Sequence, residues 1–246
     1  MKCLFLAAGY ATRLYPLTEN FPKPLLPIGD KPILDWLLDD LETTGMIDRY
    51  ITVTNHKFAN HFFTWAKSHR LPITVLDDGS TENENRLGAV KDILFAMEHV
   101  PMNDDVFILA GDNILDFSLG NFLRYYQHKQ TSCVMRYYEN SEAKLHKTGV
   151  AVVDDNDRIV EMEEKPKEPK SHWCIPPFYI CKANDINLIK TAIANGCGTD
   201  APGSFIAWLS SQTPVHAFEM PGKRYDIGDL ASYNEIQKSA KSFLHF

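Results

Sequence analysis

Two cations follow a loop of small residues near the start of the chain. An apolar run from Cys3 to Ala7 leads into Ala8, Gly9 and Ala11; Arg13 comes next, and Lys23 stands between Pro22 and Pro24. Side chains this small let backbone N–H groups come close to a polyphosphate. Arg13 and Lys23 would add two positive charges to the same anion. The flanking prolines restrict the backbone at Lys23 and lower the entropy cost of holding its ammonium in place. On loop chemistry alone, packing is the commoner reason for small residues after a strand.

Carboxylates supply the complementary chemistry. Asp112 follows an apolar run, Asp105 to Ala110, and is flanked by Gly111 and Asn113. A carboxylate so placed suits a hard divalent cation held by one or two carboxylates and phosphate oxygens, and it equally suits a turn. Asp226 lies in Arg224-Tyr225-Asp226-Ile227-Gly228. Asp229 is better placed to cap the helix that follows, which leaves Asp226 for a ligand role. Glu163-Glu164-Lys165-Pro166 sets an acceptor for hydroxyls beside a cation for a phosphate, although short charged runs often simply face solvent. The nine histidines show no H-x-x-x-H spacing, and no Ser/His/Asp or Cys/His system stands out.

The elements that must position these residues read as alternating strands and helices. After the first loop, Ile33, Leu34, Leu37, Leu38 and Leu41 form a helical stripe ending near Gly45. Arg49 to Thr54 is a β-branched strand, a helix runs from about Lys57 to His69, and Ile73 to Leu76 is a third strand. Such alternation predicts a parallel sheet with right-handed crossovers. The loops at 8–13, 77–86 and 111–113 all leave carboxyl ends of strands, where ligands of open parallel sheets collect. A helix from Leu87-Gly88-Ala89 to about His99, another over 118–128 and a strand over 131–138 follow. From Thr148 short strands separated by turns predict an antiparallel excursion: Gly149 to Val153, Arg158 to Met162 and Cys174 to Cys181. Helices near 183–195 and 203–212, a strand from Val215 to Glu219 and a last helix from about Leu230 to Ser242 complete the chain.

Composition narrows the classes. With 246 residues, 44% hydrophobic and 11% aromatic, the chain can bury a sizeable core. A net charge of −7 argues against a nucleic-acid or anionic-membrane binder. The apolar stretch Cys3 to Ala8 is too short for a signal-peptide core, no run is long enough to span a bilayer, and five cysteines without a C-x-x-C pair read as reduced thiols. The expected location is cytoplasmic. With no linker or repeat in view, one domain, 1–246, is expected. Residues 1–138 and 214–246 would carry its small-residue loop, Lys23, Asp112 and Asp226, and about 139–213 the run Glu163 to Pro166.

In order, these motifs resemble the sugar-1-phosphate nucleotidyltransferases (NDP-sugar pyrophosphorylases), whose signature is roughly L-A-x-G-x-G-T-R-L-x-P-x-T-x-x-x-P-K-x-L-L-P. Leu6, Ala7, Gly9, Thr12, Arg13, Leu14, Pro16, Thr18, Pro22, Lys23, Leu25, Leu26 and Pro27 stand in register. Gly111-Asp112-Asn113 and Asp226 match the metal motifs. Glu163 through Trp173 is similar to a segment of the glucose-1-phosphate thymidylyltransferases. The resemblance implies a Rossmann-like α/β fold, with a mixed, mostly parallel sheet flanked by helices and a small antiparallel excursion. It implies transfer of a nucleotidyl group from an NTP to a sugar-1-phosphate, releasing pyrophosphate, with Mg2+ on Asp112 and Asp226.

The same resemblance assigns the rest. Arg13, Lys23 and Lys165 are implied catalytic residues. Leu6, Ala7, Ala8, Gly9, Tyr10, Ala11, Thr12, Arg13, Asp78, Asn83, Asn85, Gly88 and Asp112 are implied to bind nucleotide. Gly149, Glu164, Lys165, Trp173 and Phe178 are implied to bind the acceptor. No nucleic acid or membrane partner is implied, and homo-oligomerisation is compatible with this picture. Three departures stand out: alanine at 11 where the family has glycine, which calls for a negative φ; Arg224 and Asp229 in place of an aromatic residue and threonine; and Pro176-Pro177 where a glycine lies beneath the sugar. Asn83 and Asn85 leave the base open. A cytidylyltransferase acting on a phosphate such as phosphocholine, or a non-catalytic nucleotide-sensing relative, is the alternative. A dehydrogenase is disfavoured, because G-x-G-x-x-G is absent and the second strand ends at Thr54-Asn55.

Overall fold

The structure, a computed structural model, describes residues 1–101 and 103–243, with side chains described through Lys238 in the last helix. The backbone gathers into two compact units. One comprises Cys3–Arg86, Ala110–Gly120 and the chain from Pro221 on; the other comprises Met1–Lys2, Leu87–Leu109 and Asn121–Met220.

In the first unit the strands Lys2–Leu6, Arg49–Thr54 and Ile73–Asp77 lie side by side. The last two are parallel, from Tyr50↔Ile73 to Thr54↔Asp77. Five of the six residues of Arg-Tyr-Ile-Thr-Val-Thr are buried, as expected of a β-branched strand covered on both faces. The helix Ile33–Thr44 buries the five residues of the expected stripe and ends at Gly45, whose φ of 64° gives the left-handed turn that stops it. The helix Ala59–Ser68 buries Phe62 and Trp65. Two short antiparallel ribbons complete the unit, Pro27–Ile28 with Lys31–Pro32 and Asn113–Leu115 with Arg224–Asp226. Asp229 accepts a hydrogen bond from the Ser232 N–H (2.8 Å) and so caps the terminal helix Leu230–Phe243, as the sequence suggested.

The second unit is largely antiparallel. Its strands run in the order Ile159–Glu164, Gly149–Val153, Trp173–Ile175, Ser132–Tyr138, Phe178–Cys181 and Val106–Ala110, with Val215–Glu219 parallel to Ser132–Tyr138. The helices Ala89–His99, Gly120–Lys129 and Gly203–Ser210 belong to it. The single helix expected near 183–195 is two, Ala183–Ile186 and Ile189–Ala194. The first is tied to the sheet, because Asp185 accepts from the Ser132 hydroxyl at 2.5 Å. The excursion expected from Thr148 is present, with Gly149–Val153 as expected and Ile159–Glu164 close to its expected bounds. The single strand expected over Cys174 to Cys181 is two, Trp173–Ile175 and Phe178–Cys181, interrupted at Pro176-Pro177, where proline cannot donate to the ladder. Parallel and antiparallel pairs both occur, so the strand pairing is mixed, and helices accompany the strands in each unit. No helix among the described residues is long and apolar enough to cross a membrane.

Candidate active site

The first unit collects the cations and carboxylates. Leu6 ends its strand and accepts from the Gly111 N–H at 3.2 Å, which fixes Asp112 beside the first loop. Ala7 donates to Val53, and the buried Asn55 amide donates to the Ala8 carbonyl at 3.0 Å while its Oδ1 caps Phe58. Gly9 is exposed, and a methyl group there would meet nothing within 4 Å, so the loop is open to a ligand at that point. Tyr10 is buried against Phe58.

Alanine at position 11 does not take the negative φ its methyl group calls for. Its φ is 48° and ψ 42°, the left-handed conformation a glycine would supply. The Thr18 hydroxyl (2.8 Å) and the Leu14 N–H (2.9 Å) both donate to its carbonyl and hold it there. Thr12 and Arg13 then form one turn of 3-10 helix with the Arg13 side chain exposed.

Lys23 is buried, only 7% exposed, at the start of a second 3-10 turn. Its ammonium donates to Asp112 Oδ2 at 2.7 Å and lies 4.0 Å from Asp226 Oδ1. The ribbon sets the two carboxylates near each other, because Asp226 pairs with Asn113, the neighbour of Asp112. Arg224 is a second cation here. It donates to Asn113 Oδ1 at 2.6 Å and lies 3.6 Å from Asp226 Oδ2. Burial raises the Asp112 carboxyl, but Lys23 and Arg224 outweigh it and hold the group below the usual carboxylate range. Two convergent carboxylates suit a hard cation whose other positions are filled by phosphate and water. Among the described residues no group of three or more His, Cys, Asp or Glu could hold a metal by itself.

The 77–86 loop is more ordered by its own side chains than its sequence suggested. Asp78 accepts from Ser80 and is raised by burial. Asn85 Oδ1 accepts from the N–H groups of Thr81 (3.1 Å) and Glu82 (3.0 Å), and its amide donates to Thr81 Oγ1. Its oxygen is therefore spent on the turn rather than free to read a base. Asn83 Oδ1 accepts from Arg86 at 2.9 Å.

The second unit collects the residues expected on the acceptor side. Glu164 pairs with Gly149 in the sheet. A methyl group at Gly149 would come within 3.0 Å of Glu164 Oε2, and one at Gly203 within 2.0 Å of the same oxygen. Glycine at both positions thus makes room for this carboxylate at the start of the helix Gly203–Ser210. Burial raises Glu164 to about 7, with the Lys165 charge opposing and Asp200 reinforcing the rise. Lys165 has a φ of 51°, unusual for a side chain of its size. Its N–H donates to Thr148 and its ammonium lies 3.7 Å from Asp200 Oδ2.

Two acceptor-side expectations are placed elsewhere. Phe178 is fully buried in the sheet opposite Leu109, so its ring is core. Trp173 stacks beneath Arg136, 4.4 Å from its ring centre, and meets Tyr138 edge-on. Gly88 has a φ of 89°, and a methyl group there would lie 2.5 Å from the Thr199 carbonyl. Its lack of a side chain serves a close backbone crossing. Sequence reasoning missed Asn55, Tyr179, Asp200 and Gly203; the Tyr179 hydroxyl lies 3.4 Å from where a Gly203 methyl would be.

The nucleotidyl transferase family model matches residues 2–242. The chain belongs to the nucleotidyl transferase family. Bifunctional protein GlmU of Methanocaldococcus jannaschii is 28% identical over 93% of this chain and 51% of its own length. UTP–glucose-1-phosphate uridylyltransferase AglF of Haloferax volcanii is 29% identical over 97% of this chain and 96% of its own. This nucleotidyl transferase spans between 51% and 64% of the length of the first curated relatives it matches. Its fold is that of UDP-glucose pyrophosphorylase in complex with UDP-glucose, at a TM-score of 0.82 and 22% identity over 98% of each chain.

Proposed function

We propose that this nucleotidyl transferase couples an NTP to a sugar-1-phosphate, giving an NDP-sugar and pyrophosphate. The observation that carries the reading is the convergence of Lys23, Asp112 and Asp226 beside an open loop after the first strand. The attacking oxygen of a phosphate is already ionised at neutral pH, so the reaction requires charge compensation and alignment rather than a general base. Lys23 is the buried cation for the phosphate at which substitution occurs, and Arg13 the exposed one for the departing pyrophosphate. Asp112 and Asp226 fit Mg2+, which supplies charge neutralisation at the triphosphate when bound. Lys165 binds the acceptor phosphate, and Glu164, in the space left by Gly149 and Gly203, accepts from the sugar hydroxyls. AglF, similar over nearly its whole length, is named for UTP and glucose-1-phosphate, which makes that pair the first to try.

The test is a pyrophosphate-release assay of UTP, dTTP, CTP, ATP and GTP against sugar-1-phosphates and phosphocholine, with and without Mg2+. Metal-dependent release with a sugar-1-phosphate, and a nucleotide-sugar product by mass spectrometry, is the expected result. Release with phosphocholine alone, or with no acceptor, would replace this reading.

A further inference from the structure

The acceptor lysine already has an anion. Lys165 Nζ lies 3.7 Å from Asp200 Oδ2, and the backbones on both sides are fixed. The Lys165 N–H donates to Thr148 at 3.1 Å. Asp200 is held more firmly: its carbonyl accepts from the Ala89 N–H (3.1 Å), and the preceding carbonyl, that of Thr199, accepts from Val90 (3.0 Å). The segment 199–200 therefore closes the first turn of the helix Ala89–His99, where orphan N–H groups need acceptors. Gly88 lets it approach, since a methyl group there would lie 3.1 Å from the Asp200 α-carbon and 2.5 Å from the Thr199 oxygen. An exposed carboxylate on a fixed backbone thus stands 3.7 Å from a lysine read as phosphate-binding.

We propose that Asp200 is a specificity-determining residue that pairs with Lys165 until an acceptor enters, so that the entering phosphate must displace a resident carboxylate. The inference rests on the acceptor-side reading of Lys165. Its consequence is selectivity against bare anions. Inorganic phosphate brings only its charge, whereas a sugar phosphate adds hydroxyl contacts to Glu164 and overcomes the displacement. With both partners about half exposed, at 49% and 61%, solvent keeps the effect modest. The charged groups around Glu164 are Lys165 and Asp200, with the Tyr179 hydroxyl nearby and Glu163 exposed beside it. The strand Gly149–Val153 and the helix Gly203–Ser210 carry no ionisable side chain. Loss of the Asp200 charge should therefore also lower the Glu164 titration.

The experiment measures inorganic phosphate binding to the full chain without nucleotide, by NMR of 13C-labelled lysine, together with the Glu164 carboxyl titration. Asp200→Asn should tighten phosphate about 3- to 10-fold, the scale of one partly screened charge, and move Glu164 below about 7. Asp200→Glu should behave as the parent, and Lys165→Ala should weaken phosphate. Unchanged or weaker phosphate binding in Asp200→Asn, while Lys165→Ala still weakens it, overturns the role of Asp200 alone. No effect of Lys165→Ala overturns both this role and the acceptor-side reading. Lost folding in Asp200→Asn, seen as collapsed NMR dispersion, with an Asp200→Ala variant that folds and binds phosphate no better than the parent, also overturns it.

Discussion

The Lys23 ammonium reaches across 89 residues of sequence to donate to Asp112 Oδ2 at 2.7 Å. That bond joins the first loop of the chain to the carboxylate after the strand Val106–Ala110. It makes Lys23 a structural member of the site as well as its buried cation, so any test of its chemistry must separate the two roles.

Ala11 stores strain that glycine would release. A left-handed residue with a Cβ costs about 1–2 kcal/mol, and glycine returns about 0.5–1 of that through its unfolded-state entropy. Ala11→Gly should raise stability by roughly 0.5–1 kcal/mol, a rise in Tm of a few degrees, with activity retained. Calorimetry with parallel pyrophosphate-release rates checks this. A lower Tm would mean that the contacts of the methyl group outweigh its strain.

Gly203→Ala places a methyl group 2.0 Å from Glu164 Oε2, closer than any real contact. The carboxylate must leave its seat, and the acceptor should lose its hydroxyl partner. The expected outcome is an acceptor KM raised at least about 10-fold, the scale of one lost hydrogen bond to a charged group, with the NTP KM unchanged. Steady-state kinetics varying each substrate in turn decides it; an unchanged acceptor KM would separate Glu164 from the acceptor.

The same carboxylate makes stability depend on pH. Glu164 is raised from 4.5 to about 7 in the folded protein, chiefly by burial. Between those values the folded state binds the proton that the unfolded state has released, so stability falls as pH rises through this window and levels off above it. Glu164→Gln should remove a loss on the order of 2–3 kcal/mol between pH 4 and pH 8. Urea denaturation at both values, in parent and variant, measures it. Parallel pH profiles would show that Glu164 titrates normally.

Linear motifs made much of this legible beforehand. The run from Leu6 to Pro27, Gly111-Asp112-Asn113 and Glu163 to Pro166 each set their candidate groups in adjacent residues. The stripe Ile33 to Leu41 and the strand Arg49 to Thr54 give their elements directly through periodicity and β-branching. What the sequence hid was made by pairing. Gly203 and Asp200 reach Glu164 and Lys165 only through the packing of a helix start on the strand Ile159–Glu164. The ring of Phe178 lies in the core, and its strand neighbour Tyr179 is the one whose hydroxyl comes beside Gly203, because a strand sends alternate residues to opposite faces. Asn85 went to its own turn because, as the third residue of the 3-10 turn Asn83–Asn85, its side chain reaches back to the N–H groups of Thr81 and Glu82. At Ala11, Thr18 seven residues on supplies the bond that holds a conformation the local residue type opposes.

The central claim is that Lys23 acts on the transition state, and Lys23→Met tests it most directly. Methionine keeps a flexible stem of similar length, so packing is largely retained while the charge is lost, and thermal denaturation of the variant checks that it is folded. With saturating Mg2+, kcat and kcat/KM should fall together by at least about 100-fold, with both KM values nearly unchanged, as expected when a charge stabilising only the transition state is removed. A kcat within a few-fold of the parent, accompanied by a raised NTP KM, would contradict the account.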